Sequence, residues 1–340
     1  MKIALDAMGG DKAPLVNIVG AREALALYPS IEVLYLVGDE NILAKECAEH
    51  KLTDKRVKIV HAAQVVEMHE SGAKTLRSKR DSSISVATGL VKSGEADAVV
   101  SAGNTGAAVA NATLKLRTLA GVERAGIASP LPNEHGVCNL LDAGANPEAK
   151  PEHLVGYAVM GAMYAKHVLG VSEPTVGLMS NGEEEEKGTA FTKETFALLK
   201  AMEESGKAPF KFLGNIEGGD LYETKVDVAL TDGFTGNIIL KSCEATAKAM
   251  SKWLKLEFKR KPMRVLGAAM ASGAFKAVKR RSSYEYYGGS PLLGTNGVVI
   301  IAHGGSSALA MQNAIRGALE AVEQEVNPHI EAMLKQLETE

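Results

Sequence analysis

Short apolar segments alternate with longer amphipathic ones almost from end to end of the 340 residues. The apolar segments are Ile3–Asp6, Val33–Val37, Val57–His61, Ala98–Ser101, Ile127–Pro130, Val137–Asp142, Val176–Ser180, Val226–Leu230 and Val298–Ala302. Helical patterns fill the gaps over Leu15–Leu27, Ile84–Lys92, Ala107–Leu116, His153–Val168, Ala190–Glu203 and Ser306–Val322. Strands that read as continuous Val/Ile/Leu runs are covered on both faces, and helical crossovers let them run parallel. The pattern predicts an α/β fold: a three-layer αβα sandwich around a mainly parallel sheet. One local exception is expected, because the turn Leu131-Pro132-Asn133-Glu134 joins two strands as an antiparallel hairpin. At 46% hydrophobic the chain can bury a large core. No clean linker divides it, so residues 1–340 read as one catalytic domain. The Ala145–Pro151 stretch is the best place for a subdomain joint.

Five strand-to-helix joints share one composition of small polar residues and glycine. They are Asp6-Ala7-Met8-Gly9-Gly10-Asp11, Ser101-Ala102-Gly103-Asn104-Thr105-Gly106, Ser180-Asn181-Gly182 through Lys187-Gly188-Thr189, Thr231-Asp232-Gly233-Phe234-Thr235-Gly236-Asn237, and His303-Gly304-Gly305-Ser306-Ser307. In an open parallel sheet such joints lie at the carboxyl edge of the strands, where ligands bind. Glycine admits close backbone approach, and helix N-termini turn N–H groups toward an anion. One such joint is ordinary turn chemistry; five point to a phosphate or a phosphate-bearing ligand. None is a P-loop, and the first joint lacks a dinucleotide GxGxxG. In the first joint Asp11 is expected to cap the following helix and Asp6 to lock the loop by accepting its N–H groups. The attracting charge must then come from Lys187, Lys241, or Lys79 and Arg80.

Charge is unevenly spread. The net charge of −3 gives no global reason to expect nucleic acid. Between Lys241 and Arg281, however, twelve Lys or Arg face only Glu244 and Glu257, a local +10 that leaves −13 for the remainder. Lys248, Lys252, Lys255 and Lys259 share one helical face, and Met250, Trp253, Leu254 and Phe258 another. After Lys261-Pro262 a second helix carries Met263, Leu266, Met270 and Ala274. The segment 241–281 reads as a basic helical hairpin with a Met-rich crest, suited to an acidic protein or an anionic lipid surface. No aromatic interleaving supports nucleic acid. Cys47, Cys138 and Cys243 form neither a CxxC nor a zinc spacing and read as reduced thiols. Neither a secretory signal nor an apolar run of membrane-spanning length is visible, so a cytoplasmic protein is expected.

The strings IALDAMGGDKAP, SAGNTGA, LMSNGEEEEKGT, TDGFTGN and IAHGGSS, in that order and over nearly the full length, resemble the phosphate acyltransferases of bacterial phospholipid synthesis. These are also called acyl-acyl carrier protein:phosphate transacylases. The resemblance implies a fold similar to phosphotransacetylases and to isocitrate and isopropylmalate dehydrogenases. It implies transfer of a long-chain acyl group from acyl carrier protein to inorganic phosphate, with the acyl phosphate passed to a membrane glycerol 3-phosphate acyltransferase. It also implies a homodimer resting peripherally on the inner face of the cell membrane, without metal or cofactor.

Phosphate with a second pKa of roughly 6 is largely dianionic near neutrality and needs no strong base. A pantetheine thiol of pKa about 8.5 leaves readily. No GxSxG elbow or Cys/His motif calls for an acyl-enzyme. The site has only to place donors on phosphate and oxyanion. Lys187, Asn237, His303 and Asp232 are the catalytic candidates: Lys187 as key cation, His303 as donor to the oxyanion or the thiolate, and Asp232 as an orienter of Lys187 or Lys241. Gly9, Gly10, Asn104, Thr105, Asn181, Lys241 and Ser306 are assigned to phosphate or substrate. Lys252, Trp253, Lys255, Lys259, Arg260, Met263 and Arg264 are assigned to carrier or membrane contact. Two other readings stay open. A nicotinamide-dependent decarboxylating dehydrogenase would need clustered aspartates, yet Asp232 is followed at i+4 by Gly236. A non-catalytic adaptor would have no use for five polar glycine joints.

Overall fold

The structure is a computed structural model describing residues 1–339. The α/β architecture and its parallel-rich sheets are present. The strands divide between two sheets, however, a separation the sequence pattern did not show. The first sheet contains β1 (Lys2–Asp6), β2 (Val33–Gly38), β3 (Val57–His61), β4 (Ala98–Ser101) and β5 (Gly126–Ile127). The second contains β6 (Ser129–Asn133), β7 (Gly136–Leu141), β8 (Thr175–Met179), β9 (Lys211–Ile216) and β10 (Val228–Leu230). The chain then returns to the first sheet with β11 (Ser290–Leu293) and β12 (Val298–Ile301).

The first sheet has the order β3-β2-β1-β4-β12-β11-β5, parallel from β3 to β12 and antiparallel at β11 and β5. The second has the order β6-β7-β10-β8-β9, parallel except for the β6–β7 hairpin. That hairpin is the one its turn residues predicted. Both sheets are covered on both sides. The helices Leu15–Leu27 and Ala308–Glu323 bury Ile18, Ala21, Met311 and Ile315 against Leu5 and Leu36 of the first. The helix Ser83–Lys92 and the helix Thr105–Asn111, which continues as a π turn to Leu116, cover its other side with Ala87, Val91 and Ala108. The helix Pro151–His167 buries Leu154, Tyr157 and Met160 on the second sheet, starting from Pro151 at a position where no N–H is needed.

Strand order places the switch points. The chain leaves β1 toward β2 and β3 and comes back to β4 on the other side, so the ends of β1 and β4 frame a crevice. In the second sheet β10 inserts between β7 and β8, with the same effect.

The basic segment departs from the expected pair of helices. It forms three: Gly233–Lys259, Pro262–Met270 and Ser272–Ser282. The second helix ends at Ala271, and Phe258 and Phe275 meet edge to face at 5.2 Å to hold the fold-back. Past Glu244 no residue of this arm is buried. Trp253, Met263 and Met270 are 60%, 78% and 83% exposed, so the arm's apolar crest is left uncovered by the described residues.

Candidate active site

Three of the five joints fold onto one another at the carboxyl ends of β1, β4 and β12. The Asp11 N–H donates to the Gly304 carbonyl at 2.8 Å. A Cβ on Gly9 would stand 2.6 Å from Asp6 Oδ2 and 2.8 Å from the Gly103 nitrogen, so this approach admits only glycine. Gly10 takes a φ of +110° between the carbonyls of Ala102 and Gly304. Asp6 is buried and accepts from Ser101 Oγ at 2.6 Å. Burial pushes its pKa up, while Ser101, Ser83 and the N–H groups of Met8 and Gly9 pull the other way. Asp6 thus ties the first joint to the second through Ser101 rather than closing its own loop alone, and its Oδ1 has no hydrogen-bond partner among the described residues.

Asp11 is not the helix cap. That helix begins at Leu15 behind Pro14 with no side-chain cap, because the Gly10–Pro14 turn holds Asp11 against Gly304 instead. The Asn104 side chain is fully engaged. Its Oδ1 accepts from Ala107 N–H at 2.9 Å, and its Nδ2 donates to the carbonyls of Glu67, Met68 and Glu70. It staples the 67–70 loop to this cluster, while Thr105 beside it is exposed. Lys79 is likewise occupied, by Glu70 at 2.6 Å and the Val65 carbonyl at 2.7 Å.

The second sheet forms its own cluster after β7, β8 and β10. Its centre is Asp142, which is fully buried. Asp142 Oδ1 accepts from the N–H groups of Ile127, Gly144 and Ala145, and Oδ2 from that of Asn146. Onto this rigid turn pack Gly233, whose N–H donates to the Asn146 carbonyl, and Gly236, where a Cβ would fall 2.0 Å from the Asp142 carbonyl oxygen. Asn237 then lies exposed against Gly144. The Asp232 carboxylate accepts from Thr235 N–H at 2.9 Å and Thr235 Oγ1 at 2.7 Å. It caps the helix and contacts neither Lys187 nor Lys241. Asn181 and Lys187 belong to the neighbouring joint after β8. Both are exposed, and the Lys187 stem lies over Gly182 with no partner at its ammonium among the described residues.

The helix Gly233–Lys259 joins the two clusters. It starts at the end of β10, and its second and third turns cross to the first sheet. There Lys241 Nζ pairs with Glu244 Oε2 at 3.1 Å, and the same carboxylate oxygen lies 3.7 Å from His303 Nε2. The other ring nitrogen of His303, Nδ1, accepts from Gly305 N–H at 3.0 Å. A neutral His303 therefore carries its proton on Nε2, facing Glu244 and Lys241. Burial first, then Lys241, pushes the His303 pKa down, and Glu244 partly opposes them. The ring of Tyr284 stands 5.4 Å away. Ser306 is buried with no hydrogen-bond partner on its hydroxyl, and Ser307 Oγ donates to Glu285.

The structure thus brings together His303, Lys241, Gly9, Gly10 and Ser306, and separately sets Asp232 and Asn237 beside the Asp142 turn. Asn181 and Lys187 stay on the adjacent β8 joint, without a hydrogen bond to them among the described residues. Glu244 and Asp142, which connect the halves, and Tyr284, which stands beside His303, were not among the site candidates read from the sequence. Of these only Asp142 carried a signal, an acid at a strand end before Ala-Gly-Ala-Asn. Lys252, Lys255, Lys259, Arg260 and Arg264 lie on the projecting arm with Trp253 and Met263, outside both clusters. Arg260 and Arg264 both pair with Glu257 at 2.7 Å. Among the described residues, the one group with metal-ligand spacing is Glu46, Glu49 and His50, on a surface helix away from this site. No helix there is long and apolar enough to cross a membrane.

Comparison with known proteins fits this geometry. Two solved phosphotransacetylases share the fold: that of Streptococcus pyogenes at TM-score 0.60 and 17% identity, and EutD of Staphylococcus aureus at 0.59 and 16%. Each match covers 95% of this chain and 94% of the other. In sequence the chain is 62% identical to the phosphate acyltransferase of Akkermansia muciniphila, over 100% of this chain and 97% of that one. It is 47% identical to that of Pelotomaculum thermopropionicum, over 99% and 96%. A sequence model described as fatty acid synthesis protein matches residues 1–329. The chain belongs to this family of fatty acid synthesis proteins and phosphate acyltransferases, and is an acyltransferase.

Proposed function

We propose that the protein moves a long-chain fatty acyl group from an acyl carrier protein thioester to inorganic phosphate by direct attack. The observation that carries this reading is the crossing of one helix between the two joint clusters, which sets Lys241 beside the Nε2–H of a neutral His303. Phosphate held by glycine-turn N–H groups near Lys241 attacks the thioester carbonyl. The Nε2–H of His303 then donates to the oxyanion, and the collapse expels the pantetheine thiolate. Lys187 adds positive charge from the β8 joint.

Two of the three thiols are poor candidates for an acyl-enzyme: burial pushes Cys138 up to about 12, and Cys47 upward as well, while Cys243 is half-buried beside Tyr222. Ser306 is buried without a base on its hydroxyl. The acyl phosphate then leaves for a membrane glycerol 3-phosphate acyltransferase. The basic arm serves the acidic carrier and the inner membrane surface in a homodimer associated peripherally with the cytoplasmic face.

The test is to incubate the protein with acyl-acyl carrier protein and phosphate, then trap acyl phosphate with hydroxylamine. The hydroxamate should appear in proportion to thiol released. Thiol release with an acyl group retained on the protein would overturn direct attack, and absence of hydroxamate would overturn the reaction.

A further inference from the structure

Beside the Asp142 turn lies a cavity of about 650 Å³, within the range of small-molecule sites. Its floor is apolar: Leu76, Val109, Ala110 and Leu114, on the helix Gly72–Ser78 and the helical stretch 105–116. Those two helices touch through Gly72 and Gly106, where a Cβ on Gly72 would meet the Gly106 backbone at 2.1 Å. Leu114 is 67% exposed, unusual for a leucine beside so many apolar neighbours. Ala145 and Asn146 line it too. These two residues belong to the turn that receives Gly233 and Gly236, next to Asn237. The cavity is therefore continuous with the second cluster.

Its rim is cationic. Lys74, Arg77 and Arg124 line it, and all three are exposed. The one carboxylate of the lining, Glu123, is turned to His153 Nε2 at 3.2 Å.

We infer that this groove receives the alkyl chain of the acyl thioester and limits the chain length the protein uses. The inference rests on the acyl-transfer reading above. An acyl thioester matches both parts of the groove. The saturated chain suits the Leu76–Leu114 floor, and the anionic phosphopantetheine and acidic carrier suit the cationic rim. Ala110 and Leu114 are the lining positions on the 105–116 stretch where a larger or a charged side chain would interfere with a bound chain.

The test measures kcat/KM for carrier thioesters from butyryl to octadecanoyl in the unaltered protein and in Ala110→Phe and Leu114→Asp. Unaltered, kcat/KM should climb with length, by up to about fourfold per methylene buried. Ala110→Phe should end that climb several carbons earlier, and Leu114→Asp should flatten its upper end. Leu114 is exposed, so its variant keeps the fold even if Ala110→Phe does not. A length profile unchanged in Leu114→Asp overturns the inference. So does an unchanged profile accompanied by dissociation of an oligomer in sedimentation, which would give the face to a second copy of the chain. If the unaltered protein forms no acyl phosphate at any length, it is the acyl-transfer reading that fails.

Discussion

His303 keeps its proton in a defined place because the Gly305 N–H occupies Nδ1. Burial and Lys241 make that ring a weaker base than an ordinary histidine, so the neutral form, with Nε2–H as donor, persists to lower pH. The sign follows directly. The unfolded chain takes up a proton near its ordinary value of about 6.5, before the folded one does. Stability from this group is thus fully present above that pH and is lost as pH falls from there through the lower pKa of the folded ring. Turnover should fall on the acid side at a pH lower than the ordinary histidine value, as the ring charges. His303→Gln, which keeps one N–H donor but cannot titrate, should lose that acid limb in a pH–rate profile. His303→Ala should lower kcat by roughly 10²–10³-fold, the usual cost of one oxyanion donor. An acid limb unchanged in the Gln variant would remove His303 from the reaction. At this scale the sequence revealed residues whose chemistry is local. His303 stands out as the one titratable group of its joint, and Asp232 as a cap. Glu244 was invisible, because its value comes from a helix of one sheet reaching a strand end of the other.

The helix Gly233–Lys259 is fixed at its start by glycine rather than by buried side chains; Gly233 and Gly236 are its only buried residues. Gly236→Ala would drive a methyl into the Asp142 carbonyl, and that backbone is itself held by four backbone N–H groups and the Asn146 amide on the Asp142 carboxylate. Neither side can yield easily. The variant should lose at least about 2 kcal/mol of stability. It should also lose activity beyond that loss, because Lys241 and Glu244 move with the helix. Asp232→Ala removes only the cap and should cost about 1 kcal/mol. Thermal unfolding of both, beside turnover at a temperature where both stay folded, checks the order; an unperturbed Gly236→Ala protein would refute the rigid joint. Elements with strong periodicity were legible, among them the β6–β7 hairpin and most crossover helices. Others were not. β9 is Lys-Phe-Leu-Gly-Asn-Ile, whose Gly-Asn reads as a turn, and β11 is four residues with a proline. The division into two sheets has no local mark either. Only Ala128 separates β5 from β6, and strand partners far apart in sequence decide which sheet each joins.

Across the whole molecule the charge is polarised, with +10 on the projecting arm and −13 on the rest. The arm carries two surfaces at once, and they should respond to different partners. The lysine face of Lys252, Lys255 and Lys259 acts through charge, which salt screens beyond a Debye length of about 8 Å at physiological ionic strength. The crest of Trp253, Met263 and Met270 acts through apolar area, which salt does not weaken. Charge reversal of the three lysines to glutamate should weaken carrier binding by tenfold or more at low salt and much less at high salt, while turnover of a small pantetheine thioester stays near its original rate. Truncating Trp253, Met263 and Met270 to alanine should instead lower partition onto anionic vesicles, with carrier affinity little changed. Calorimetric titration with carrier protein and flotation with vesicles separate the two. If charge reversal and crest truncation moved both readouts alike, the arm would present one undivided surface, with carrier and membrane competing for it rather than binding side by side.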